Sequence, residues 1–368
     1  MAYKVPFVNY PLQYHCIQGE IDRALRQVLE GGDLIMRRQL DEFEQSLAAF
    51  AGTKYAVGLN SGTDALFLSL VAAGIGNGDE VITVAHTFVA TVSTIVHAGA
   101  APVLVDVGQD FNMDMDALAA AITPRTRAVV PVHLNGRLCD MGKLMALAEK
   151  HNFLVIEDAA QALGATFDGR GGGSFGLTGC FSFYPAKTLG SYGDGGGLTT
   201  SDPEMAEKIR QLRDHGQNRA TGEILFHGYN SRLDNLQAAI LDVKIKHLPG
   251  WIDRRRELAA RYEQGLAGIT GVKTPPPPET GRYRDVFTNY VIRAAKRDEL
   301  AAYLREQGVE VLISWPVPMH HHEGLHLSRF KLPETEKISR EVLSLPLFPE
   351  LDDGQVDYVA EKVRAFYE

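Results

Sequence analysis

The chain has 368 residues, 45% hydrophobic and 23% charged, which is the usage of an ordinary folded protein and enough length for a large domain beside a smaller one. Its 37 Lys and Arg against 46 Asp and Glu give a formal charge of -9, with no basic surplus to meet a nucleic-acid backbone, so small molecules are the expected partners. Cys16, Cys139 and Cys180 lack metal-ligand spacing, the opening MAYKVPFVNYPLQY is no export signal, and no apolar run reaches the length of a membrane span; we expect reduced thiols, no membrane and a cytoplasmic location.

Residues 1–50 read as an arm and a helix. From 55 to about 214 short β-rich runs alternate with helical patterns, as in a mostly parallel sheet covered by helices. Strands are predicted at 55–59, 80–85, 102–107, 127–134, 153–158 and 179–185, and helices at 62–73, 88–98, 114–122, 140–150 and 203–214, where apolar residues recur at three- and four-residue steps. Several strands are apolar on both faces, as buried parallel strands must be. After Asn230 the sequence reads as a long helix with a break near Pro249-Gly250, since proline cannot continue the hydrogen-bond ladder. The stiff TPPPPE at 274–279 follows, then FTNYVIRA, a helix at 297–307 and VEVLISW as a second βαβ-like module. These patterns divide the chain into a large domain with its arm at 1–245 and a small C-terminal α+β domain at 246–368.

Three segments carry chemistry. In NSGTDALFLSL at 60–70 small residues open a helix, and its free N–H groups with the positive end of the dipole make an anion site, or simply a capped helix end. VIEDAAQALGA at 155–165 ends an apolar strand in two carboxylates. The carboxyl ends of such strands line the ligand crevice, so Asp158 is placed either to hold a pyridine nitrogen protonated or to cap the next turn. Glu157 faces the other side and receives no role. FSFYPAKTLGSYGDGGGLTT at 181–200 delivers Lys187 into a glycine-rich turn, suited to an imine-forming amine approached by a rigid ring, although a single lysine is ordinarily a solvated one. Ser182 can donate to a phosphate.

NSGTDAL, VIEDAAQALGA, FSFYPAKTLGSYGDGGG and GYNSRLDNLQAA occur in this order, and together they resemble the DegT/DnrJ/EryC1/StrS sugar aminotransferases, a branch of the fold type I pyridoxal 5'-phosphate (PLP) enzymes. The resemblance runs over essentially the whole chain. It implies a large α/β/α domain with a mostly parallel mixed sheet, Lys187 as the Schiff-base lysine, Asp158 as the pyridinium partner and Gln161 beside the ring hydroxyl. It further implies Gly62, Thr63 and Ser182 as phosphate ligands and Phe88 over the ring, where the alternative is a core phenylalanine. Asn230 would reach the phosphate of the other subunit, which implies a homodimer with shared active sites. The implied reaction carries an amino group from L-glutamate to a nucleotide-linked keto-deoxysugar in amino-sugar biosynthesis.

His86 in AHTF and His320 in PVPMH resemble the subgroup acting on 3-keto sugars, while either histidine could equally be a packing residue. A 4-keto sugar, a keto-inositol and a non-catalytic sugar sensor are the alternatives. Arg232 binds a substrate carboxylate or pairs structurally. The run of His320, His321 and His322 with His326 invites a metal, but consecutive residues seldom face one ion and the sequence shows no carboxylate or cysteine pair to complete a site, so none is expected. Many relatives read HLYGQ where this chain has HLNGR at 133–137, and Asn135 and Arg137 therefore bear on substrate identity.

Overall fold

The apolar runs between 55 and 200 assemble into one sheet. The computed structural model describes residues 3–368. Seven strands, β1 (Tyr55–Leu59), β2 (Glu80–Val84), β3 (Ala101–Val105), β4 (Thr126–Val129), β5 (Leu154–Asp158), β6 (Thr178–Ser182) and β7 (Gly196–Thr200), lie in the order β1-β7-β6-β5-β4-β2-β3. All pairs are parallel except those of β7, which runs antiparallel to both neighbours. β2 and β7 are buried along their whole length, as a sheet covered on both faces requires.

The six expected strands are present. β7 was not anticipated, because GGLTT carries two glycines that weaken any strand pattern; in the sheet its glycines lie close against neighbouring chain at Ser61 and Val57.

The helices are α1 (Tyr10–Gly31), α2 (Arg38–Ala51), α3 (Gly62–Ala72), α4 (Val89–His97), α5 (Met115–Ala121), α6 (Met141–His151), α7 (Pro203–Leu212), α8 (Asn235–Leu266), α9 (Arg297–Glu306), α10 (Pro333–Glu341) and α11 (Asp353–Tyr367). Ser61, Asp114, Asp140 and Asp202 each accept a backbone N–H at a helix start, satisfying donors that the first turn leaves free.

Two expectations are corrected. α8 continues through Pro249 without a break, because Ile245, Leu248 and Ile252 on either side are packed into the first core and hold the helix across the missing hydrogen bond. VEVLISW is not the second strand of a βαβ unit. It makes only isolated bridges, Val309 to Val5 and Leu312 to Ser344. The strand partner is instead β10 (Val342–Leu345), antiparallel to β9 (Tyr290–Ala294), with β8 (Val272–Lys273) on its other edge. β10 follows α10 without a linker, so in sequence VLSL reads as more helix.

A second core gathers Val5, Leu258, Tyr262, Tyr290, Ile292, Leu300, Val309 and Leu343. α8 therefore starts in one core and ends in the other.

Candidate active site

β1, β5 and β6 all end at one edge of the sheet, and the chain leaving each supplies a wall of a cavity of about 750 Å³. From β1 come Ser61, Gly62 and Thr63 at the N-terminus of α3. Gly62 has no room for a side chain: a Cβ there would stand 2.8 Å from Cβ of Ser182. The bare backbone lets the helix terminus and the end of β6 close on one another and present N–H groups together with the Ser182 hydroxyl. Ser182 Oγ accepts the Tyr184 N–H at 3.3 Å, which leaves its proton free to donate.

β5 delivers Asp158, 7% exposed. Its Oδ2 accepts the Thr91 hydroxyl at 2.8 Å and its Oδ1 the Ala160 N–H at 3.2 Å. Thr87 and Thr91 share a hydrogen bond of 2.8 Å, so Thr87 donates in turn to Thr91. Burial pushes the Asp158 carboxyl up, against the pull of Thr91, Ala160 and Lys187 towards the charged form. β6 runs on to Lys187, whose ammonium burial pushes down and the Asp158 charge partly restores. A buried amine biased towards its neutral form is a nucleophile and a base.

Gln161 also lines the cavity, its Oε1 fixed by the Asn135 N–H at 2.8 Å. Phe88 is 59% exposed on the rim and lines the cavity, so the core reading of that residue is excluded. Lys187, Asp158, Gly62, Thr63, Ser182, Gln161 and Phe88 are thus brought together.

Four candidates stand elsewhere. Asn230 is exposed and makes an isolated bridge with Asp214, and Arg232 pairs with the same Asp214 at 3.3 Å. His86 is buried behind the wall against Trp315 and Phe111. His320 is buried, its Nε2 3.3 Å from Glu336.

The expectation that no carboxylate stands beside the histidine run is corrected, because α10 brings Glu336 within reach of both His320 and His321. The Nδ1 of His320 has no hydrogen-bond partner among the described residues.

Several contributors were not read from the sequence. Thr91 is the side-chain partner of Asp158 and Thr87, four residues earlier, is the partner of Thr91; their spacing is the available signal. Phe7 of the arm and Leu312, Ile313, Ser314 and Trp315 of the supposed strand are cavity wall. Glu157, left without a role, accepts three backbone N–H groups, from Gly173, Phe175 and Gly176, and contacts His133 Nε2 at 2.9 Å. It anchors the loop before β6. Asn135 adopts a left-handed φ of 58°, which asparagine tolerates, and the Arg137 guanidinium is engaged outside the cavity, 2.9 Å from Asp285 and over the Tyr283 ring.

The DegT/DnrJ/EryC1/StrS aminotransferase family matches residues 15–364. The chain is 45% identical to a protein of Geobacillus stearothermophilus named pleiotropic regulatory protein, over 99% of this chain and 98% of that one. It is 42% identical to the dTDP-3-amino-3,4,6-trideoxy-alpha-D-glucose transaminase of Streptomyces venezuelae, over 99% and 97%. Among solved structures it superposes on DesV of S. venezuelae in complex with a ketimine intermediate with a TM-score of 0.96 at 41% identity, covering 100% of this chain and 99% of that one. The architecture is the fold type I arrangement expected from the four motifs, and the chain belongs to the DegT/DnrJ/EryC1/StrS aminotransferase family.

Proposed function

We propose that this chain uses PLP to transfer an amino group from L-glutamate to the keto carbon of a nucleotide-linked deoxysugar, with C3 as the position aminated, and that it works as a homodimer in the cytoplasm. The observation that carries the reading is a half-buried lysine and a buried carboxylate, Lys187 and Asp158, in one cavity with the N-terminus of α3. Amination at C3 is supported by the name of the S. venezuelae relative and by the AHTF and PVPMH segments.

The residues fit PLP. The closed approach of Gly62 to Ser182 makes a phosphate-sized cradle of N–H and hydroxyl donors, and Asp158 offers a carboxylate to a pyridine nitrogen. When bound, PLP supplies an electron sink for the pair of electrons left on the amino acid's α-carbon. The Lys187 amine, whose charged form burial disfavours, accepts the α-proton and returns one at the end of the transfer. Thr91 and the Ala160 N–H hold Asp158 in orientation. Phe88 roofs the rim and excludes water.

Incubation of purified protein with L-glutamate and a panel of 3-keto and 4-keto nucleotide sugars and a keto-inositol tests the reading, with turnover expected on the 3-keto set. Preference for a 4-keto sugar or an inositol would overturn the C3 assignment. A non-catalytic sugar sensor is the second reading, favoured by the name of the G. stearothermophilus relative; a sensor would bind a sugar nucleotide and turn over none.

A further inference from the structure

Lys244 is a lysine in the interior, 1% exposed. Burying an ammonium is unfavourable unless each donor finds a partner. All three directions are filled. Nζ donates to the Gly190 carbonyl at 2.7 Å and to Gln13 Oε1 at 3.1 Å, and stands 4.0 Å above the Tyr192 ring. Burial pushes its pKa down to about 8, with the Glu350 carboxylate pulling the other way.

Lys244, the groups it touches and Glu350 belong to four different parts of the chain. Gln13 lies on α1, Lys244 on α8, Glu350 just before α11, and Gly190 and Tyr192 on the turn that carries Lys187.

That turn is closed on itself. The Ser191 N–H donates to the Phe183 carbonyl at 2.8 Å, and the Lys187 N–H to the Tyr184 carbonyl at 2.8 Å. Gly190 is folded so tightly that a Cβ would stand 2.3 Å from the Pro185 carbonyl oxygen. What fastens the closed turn from outside is α8, at two points. Gln237 Oε1 accepts the Tyr192 N–H at 2.9 Å, and Lys244, seven residues and two helical turns further on the same face, holds Gly190.

We propose that Lys244 is a positioning residue for Lys187: it holds the lysine-bearing turn against α8 and so fixes where the reacting amine stands in the cavity. α8 reaches from the first core into the second, and Gln13 of the arm helix is held by the same ammonium, on which Glu350 acts through its charge alone. A shift of the arm helix is therefore transmitted to the turn through this cation. The inference rests on Lys187 being the reacting amine.

The test uses the PLP-loaded enzyme and Lys244→Met, which keeps the length of the side chain and removes its donors. Amide hydrogen exchange over residues 184–192 should rise at least tenfold while β4 and β5 exchange as before. A misplacement of this size lowers the rate of the glutamate half-reaction roughly ten- to a hundredfold, with KM for glutamate changed by less than about threefold. The pH midpoint of the visible band of lysine-bound PLP should move by about half a unit or more.

Lys246→Met, on the exposed side of the same helix and paired with Asp242, should change none of these. Wild-type exchange and an unmoved midpoint in Lys244→Met would overturn the proposal. Should that variant fail to fold, Gln13→Leu, which removes one of the ammonium's two acceptors, decides by the same two readings. Exchange does not depend on turnover, so a wild type without aminotransferase activity refutes the functional reading without mimicking this failure.

Discussion

The imidazole of His86 meets the indole of Trp315 edge-on, with ring centroids 5.4 Å apart at 89°. Trp315 lines the cavity and holds a left-handed φ of 50°, a conformation that a bulky residue adopts only when its surroundings enforce it. His86 belongs to those surroundings. It acts on the cavity through the indole rather than by reaching into it.

Burial, together with the positive charge of Arg293, pushes the His86 pKa from 6.5 down to about 4. The folded state thus favours the neutral ring. Its contribution to stability is complete above pH 6.5 and is lost as the pH falls towards 4. His86→Phe should flatten the decline of the urea midpoint across that window, because no buried group then has to charge. A variant as acid-sensitive as the wild type would assign the sensitivity to another residue.

Thr91 is the partner that orients Asp158 and favours its charged form against burial. Thr91→Val deletes the donor while keeping the shape, and a hydrogen bond to a charged group contributes about 1.5–3 kcal/mol, so kcat should fall roughly ten- to a hundredfold. The loss also lets burial raise the Asp158 carboxyl further. The acid limb of the pH profile should therefore move to higher pH. A kcat within a factor of two of wild type, on an unmoved profile, would remove Thr91 from the site.

The parallel part of the fold was legible because its strands are continuous apolar runs between helices of regular period, and the motif residues Gly62, Asp158, Ser182 and Lys187 sit at the ends of such runs. What escaped depends on long-range pairing. β7 is made of glycines that only the neighbouring chain explains, and VEVLISW has the alternation of a strand but is used as cavity wall. Thr91 and Glu336 are ordinary helix residues until the fold carries them to Asp158 and His320. Asn230 lies outside its own chain's cavity, so no reading of a single chain places it.

On the proposed reading, Lys187→Ala removes the amine that both bonds the cofactor and moves the proton. Turnover should fall to below about one thousandth of wild type, and the visible band of lysine-bound PLP should be absent. The cavity loses an ammonium that burial disfavours, so folding should survive, as near-ultraviolet circular dichroism would report. Undiminished turnover in this variant ends the functional reading.

Ile224, 61% exposed, and Leu225 are large apolar side chains on the surface, in the segment that leads to Asn230. In the proposed homodimer, the partner subunit's Asn230 would stand at this cavity. The expected mass by light scattering is that of a dimer, and Ile224→Glu should shift it towards monomer with loss of activity. Complementation makes the shared site explicit. Lys187→Ala and Asn230→Ala chains, each inactive alone, are dissociated and mixed. If Asn230 acts across the interface, every mixed dimer holds one intact site, and random reassociation of a two-fold dimer returns about a quarter of wild-type activity. If it acts within its own chain, no mixed dimer has an intact site. Activity no greater than the sum of the separate variants, with mixed dimers verified by mass, would place Asn230 outside the partner's site.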